Sequence, residues 1–151
     1  MLNILHRVAM KSTLDEVYQA IATPEGVAAW WTTQAQGDRH AGGTLDFRFS
    51  AGGAEIGHFT ASVLELRAGE LVLWEITRGP PEWIGTTVRF ELRRDGDYVI
   101  VLFWHAGWKA PVEFMHHCST KWGTSLMSLK AYIETGRGQP NPDDVKIDNW
   151  N

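Results

Sequence analysis

The chain has 151 residues, 14 Lys and Arg against 18 Asp and Glu, and a formal net charge of -4, a length that suits one domain and not two. Its charges are interspersed and form no basic stripe, which excludes nucleic acid as the expected partner, and the single Cys118 excludes an internal disulfide. The first residues lack the apolar length of a signal peptide and no apolar run nears the roughly 18 residues of a membrane span, so the reading is a cytoplasmic protein without membrane insertion.

Leu2, Ile4, His6, Val8 and Met10 alternate with more polar neighbours, the period of a strand. Thr13 and Glu16 then form a capping box, and Leu14, Val17, Tyr18 and Ile21 recur at helical spacing, predicting a helix over Thr13 to Ala22. A second short helix is predicted from Thr23 to Trp31: Thr23 can cap it, Pro24 is preorganised for its first position, and Glu25 complements the dipole. Val27, Trp30 and Trp31 would lie on one side of that turn, placing two adjacent indoles against a core or a cavity.

From Ala41-Gly42-Gly43 onward the pattern is strands separated by glycine turns. Thr44 to Ser50 carries Leu45, Phe47 and Phe49 on one face, followed by Glu55 to Leu66, Leu71 to Thr77, Thr86 to Arg93 and Tyr98 to His105. Asp95-Gly96 between the last two is a hairpin signal. After Pro111 the period changes again: Met115, Ser119, Trp122, Leu126, Leu129 and Ile133 predict one apolar stripe on a helix ending at Gly136. Gln139-Pro140-Asn141-Pro142 cannot continue it. The sum is an α+β domain over residues 1–136, with 137–151 a tail packed on that domain or extending from it.

Thr23-Pro24-Glu25 with Trp30-Trp31, Arg39-His40-Ala41-Gly42-Gly43, Val63-Leu64-Glu65-Leu66, Thr87 to Leu92, His105-Ala106-Gly107-Trp108 and Leu126 to Lys130 with Glu134-Thr135-Gly136 together resemble the family named for the activator of heat-shock protein 90 ATPase. That family belongs to the START-like, or SRPBCC, helix-grip superfamily. The resemblance runs from Ile4 to Gly136. It implies a curved antiparallel six-stranded sheet wrapped around the long C-terminal helix, with two short helices between the first two strands. It also implies an internal hydrophobic cavity under that helix, of the kind used for lipids, sterols and polyketides, but no shared reaction. The activators that name the family carry a further N-terminal domain that engages the chaperone, and 151 residues leave no room for one, so a chaperone partner is not the expected role.

The resemblance places Val99, Val101, Phe103 and His105 on the inner face of the last strand, with Val88, Phe90 and Leu92 beside them. His105 would sit at one end of the cavity, where it could bond a neighbour, bond a ligand, or serve as acid or base. The same assignment turns Tyr98, Ile100, Leu102 and Trp104 outward, a row that calls for cover by a homodimer partner or by a flap from Trp108 or the Trp150 tail. His116-His117-Cys118 does not read as a metal site, because successive helical residues point about 100 degrees apart. No catalytic motif or cofactor signature is present, and the chain reads more readily as a binding protein than as an enzyme.

The expected ligand is a small apolar or aromatic molecule. Its expected walls are Trp30, Trp31, Phe47, Phe49, Phe59, Trp74, Trp83, Phe90, Phe103, His105, Met115, Trp122 and Leu126. The enzymatic alternative keeps this cavity and gives His105, or a carboxylate such as Glu75, Glu82 or Glu113, a proton-transfer role of the cyclase or hydrolase type.

Overall fold

The computed structural model describes residues 2–151. Strand β1 (Leu2–Lys11) leads into α1 (Leu14–Ala22) and α2 (Pro24–Ala28). Then follow β2 (Gln34–Gly37), β3 (Thr44–Ala51), β4 (Ala54–Arg67), β5 (Leu71–Arg78), β6 (Thr87–Asp95), β7 (Tyr98–Trp108) and α3 (Glu113–Thr135). The strands form one antiparallel sheet in the order β1-β7-β6-β5-β4-β3-β2.

The sheet has seven strands where the sequence predicts six. The addition is β2, whose Gln34-Ala35-Gln36-Gly37 carries no apolar alternation because it is a short edge strand bonded only to β3. At the other edge, β1 is closed off by α3: Glu134 accepts the Lys11 backbone N–H at 2.9 Å, and Lys130 donates to the Ala9 carbonyl at 2.6 Å. Groups that would otherwise template another strand are thereby satisfied.

Cross-strand register sets the inner face. His105 lies opposite Ile4 and Val88, Phe103 opposite His6 and Phe90, and Val101 opposite Val8 and Leu92. The doubly apolar β5 resolves with Val72 opposite Phe90 and Trp74 opposite Val88, so Trp74 points inward and is fully buried. Register shifts in β3 at Phe49/Ser50 and in β4 at Thr60/Ala61 and Val63/Glu65 curve this half of the sheet around α3.

Helix α3 is about 35 Å long at 1.5 Å per residue and ends at Gly136 in the left-handed conformation. Its buried line runs through Cys118, Trp122, Leu126 and Leu129, so the predicted stripe is rotated at its start: Ser119 is only part-buried and its carbonyl faces His6 Nε2 at 3.0 Å. Helix α2 is also shorter than predicted. It stops at Ala28, and Trp30 and Trp31 follow in a turn, each with its backbone N–H bonded to the Val27 carbonyl. The crossing of α1 and α2 is close at Gly26, where a Cβ would meet the Gln19 carbonyl oxygen at 2.4 Å. That approach seats Trp30 between the two helices and the sheet.

Candidate functional site

A pocket of about 650 Å³ opens between the β3–β4 hairpin, the β5–β6 loop, the first half of α3 and the C-terminal tail. Its aromatic lining begins with Trp31, whose ring centroid lies 4.9 Å from Trp122 with the planes 25° apart. Trp83 continues the arrangement 6.0 Å from Trp122 at 15°, and Phe59 lies 4.5 Å from Trp83 at 24°. Phe49 packs edge-on to Trp31 at 5.2 Å. These near-parallel rings come from elements far apart in sequence, and the turn after α2 supplies the first of them. Gly79 lets the β5–β6 loop pass over Phe59: its φ is +151°, and a Cβ there would meet the Phe59 ring at 2.9 Å.

Of the predicted wall residues, Trp31, Phe49, Phe59, Trp83 and Trp122 line this pocket. Trp30, Phe47, Trp74, Phe90, Phe103, His105 and Leu126 lie beneath it in the core, each at 1 % exposure or less. Met115 packs half-buried at the core's edge and does not line the pocket. The two adjacent indoles are therefore distinguished. Trp30 is an anchor, its Nε1–H donating to the Ala20 carbonyl at 2.9 Å and its own carbonyl accepting from Ser128 Oγ at 2.8 Å. Trp31 is the one that borders open space.

His105 is sealed in a directional chain of hydrogen bonds. The Trp122 indole N–H can only donate, so His105 Nδ1 accepts, at 3.1 Å. Nε2 then carries the proton and donates to Thr86 Oγ1 at 2.8 Å, and Thr86 donates onward to the Trp83 carbonyl at 2.5 Å. Burial pushes the imidazole down to about 3, so it is neutral near pH 7, with both nitrogens engaged inside the protein. A proton-transfer partner for a ligand would need one of those nitrogens free.

The rest of the lining comes from positions outside the expected walls, some of them, His117, Cys118, Glu82 and Trp150, given other roles in the sequence. Phe114, His117, Cys118, Lys121 and Ser125 line the pocket from α3. Their spacing of three and four was legible as a helical face beside the apolar stripe. Burial pushes the Cys118 thiol up to about 12, and the buried Trp83 indole N–H has no hydrogen-bond partner among the described residues. His58 Nε2 lies 2.6 Å from Asp46 on the β3–β4 side, and Glu82 lines the pocket from the β5–β6 loop. The tail contributes Asp144, Trp150 and Asn151. Lys121 Nζ holds Asp144 at 2.6 Å and the Val145 carbonyl at 2.9 Å, and His117 Nδ1 holds Asp148 at 2.7 Å. For Asp144, burial raises the carboxyl pKa, but hydrogen bonds from Lys121 and Lys146 outweigh it and keep the group below its ordinary range. The His117 bond does the same for Asp148. Among the described residues no cluster of His, Cys, Asp and Glu could hold a metal ion.

The outer face of β7 is already partly roofed. Ile100 is 2 % exposed between Ala9 and Arg93, Arg89 lies over the Trp104 ring at 5.8 Å, and Lys11 lies over Tyr98 at 5.7 Å. Neither expected flap covers it: Trp108 is buried beside His105, and Trp150 sits against Phe114 and His117. No described helix is long and apolar enough to cross a membrane.

Comparison with known proteins places this architecture. The family model described as "Activator of Hsp90 ATPase homolog 1-like protein" matches residues 11–134. The solved structure titled as the Aha1 dimer from Colwellia psychrerythraea is 36 % identical and superposes with a TM-score of 0.79, over 91 % of this chain and 100 % of that one. The solution structure of CalU16 from Micromonospora echinospora, 20 % identical, covers 97 % of this chain and 74 % of that chain with a TM-score of 0.75. Protein CV1439 from Chromobacterium violaceum, also 20 % identical, covers 87 % and 96 % with a TM-score of 0.74. The last two share the fold. No curated protein matches the sequence.

Proposed function

We propose a ligand-binding function, and its premise is the family: the chain belongs to the family of activator of Hsp90 ATPase homolog 1-like proteins. The ligand is a small apolar or aromatic molecule held against Trp31, Phe59, Trp83 and Trp122. The supporting observation is the pocket itself, whose volume of about 650 Å³ falls in the ordinary range for small-molecule sites and whose floor is aromatic. Flat rings gain most from such a floor because offset stacking adds to area burial.

Thermal denaturation checks this with a panel of apolar and aromatic metabolites. A ligand at 100 times its dissociation constant adds about 2.7 kcal/mol of stability, which moves the melting midpoint by several degrees. A panel in which no compound copurifies or moves the midpoint would contradict the proposal. An enzymatic role through His105 has little to recommend it, because both imidazole nitrogens are committed within the protein.

The outer face of β7 is the surface we assign to a homodimer, in keeping with the dimeric relative. Leu5, 62 % exposed, and Tyr98, 41 % exposed, extend the row of Leu102 and Trp104. Light scattering should give twice the mass of one chain, falling to one with Trp104→Glu. A single-chain mass for the unaltered protein at high concentration would rule the dimer out.

A further inference from the structure

The tail changes character at Asn141. Up to that residue it is clamped to the body: the Asn141 backbone N–H donates to the Trp31 carbonyl, and its carbonyl accepts from Thr33. Its side chain accepts from Ser50 N at 2.8 Å and donates to the Ser50 carbonyl at 3.0 Å, and Asn141 is 1 % exposed. Beyond it, no backbone-to-backbone hydrogen bond ties residues 144–151 to the rest of the described chain. Asp143 bonds Pro140, Ile147 bonds Asn151, and Asn151 bonds Asp148. This stretch is held by side chains of α3 and by a bond from Asn141 Nδ2 to Asp144 at 3.3 Å, the kind of segment that opens at low cost.

What those side chains hold is informative. Asp144 and Asp148 bring two carboxylates to Lys121 and His117, while Trp150 lays an indole against Phe114 and His117 at the pocket mouth. An aromatic ring and a carboxylate on one short segment line an aromatic pocket whose ionisable lining, apart from the tail, is Lys121, His117, His58 and Glu82, with His58 already bonded to Asp46. We infer that residues 143–151 are an internal stand-in for the ligand, and that the ligand is an aromatic molecule bearing a carboxylate or similar anion, which takes over Lys121 and His117 and displaces the tail. This rests on the binding function proposed above and adds the anionic group and the competing tail.

The test uses the full chain and two probes of matched shape, 2-naphthoate and its uncharged amide 2-naphthamide, titrated by tryptophan fluorescence. The acid should bind about tenfold more tightly than the amide, and Lys121→Gln should abolish that preference. Asp148→Asn, a change at a half-exposed position that spares the fold, should strengthen the acid by about two- to fivefold and leave the amide unchanged. Hydrogen exchange at the amides of residues 143–151 should quicken when the acid is added and stay constant with the amide. Equal binding of acid and amide in all three proteins, with tail exchange unmoved, overturns the inference and leaves an apolar pocket in place. Failure of both probes to bind the folded protein removes both the inference and the binding function it rests on.

Discussion

Trp30→Ala is expected to cost about 3–5 kcal/mol of folding stability, read from denaturant titration, while leaving the residues that line the pocket in place. Trp30 is 1 % exposed, stacks on Trp31 at 6.2 Å and meets Phe90 edge-on at 6.3 Å. Its removal empties a closed part of the core and leaves the Ala20 carbonyl without its indole donor. Trp31→Ala should also destabilise, because Trp31 touches Phe47, Phe49, Trp74 and Trp122 as well as Trp30. The two differ in binding: only the loss of Trp31 removes part of the pocket floor. A Trp30→Ala protein within about 1 kcal/mol of the parent would mean the α2 turn is not anchored as described.

His105→Ala is expected to cost about 3 kcal/mol or more, since it strands the buried Trp122 N–H, takes from Thr86 Oγ1 the donor it accepts from, and leaves a cavity. His105→Gln keeps an acceptor and a donor and should cost less. The pH dependence of stability also reports on the His105 imidazole. Its folded value of about 3 lies below the ordinary 6.5, so the unfolded chain takes up a proton near pH 6.5 that the native state refuses. Stability is therefore full above 6.5 and declines as pH falls toward about 3, by at most about 1.4 kcal/mol per pH unit. The carboxylates held below their ordinary range, Asp46, Glu134, Asp144 and Asp148, act in the same direction but only at lower pH. Between pH 6.5 and 4.5 the difference in stability between the parent and His105→Gln should narrow steadily. A constant difference would show that His105 titrates normally in the folded state.

Much of the architecture was legible because period and punctuation agree. The capping box at Thr13, the proline after Thr23 and the Asp95-Gly96 turn all mark real boundaries. Edge strand β2 escaped notice because a strand bonded on one side and open to water has no apolar face to advertise. The site was legible as an aromatic inventory, and parity alone could not divide it. Phe47, Phe90 and Phe103 have the composition of pocket walls, yet they are covered by Trp31, Trp30 and Trp122 respectively, neighbours brought from distant parts of the chain. The tail was legible as a tail, but its place at the pocket was not. Pro140 and Pro142 end the helical pattern, while the partners that hold Asp144 and Asp148 lie 23 and 31 residues earlier on α3.

The eight tryptophans supply the most direct test of the pocket. In a proton–nitrogen correlation spectrum each indole N–H gives its own signal, and titration with 2-naphthoate should move those of Trp31, Trp83, Trp122 and Trp150, which line the pocket. Those of Trp30 and Trp74 in the core and Trp104 on the outer face should move far less. Shifts centred on Trp104, or no shift at any indole at saturating probe, would contradict a ligand site between the β3–β4 hairpin and α3.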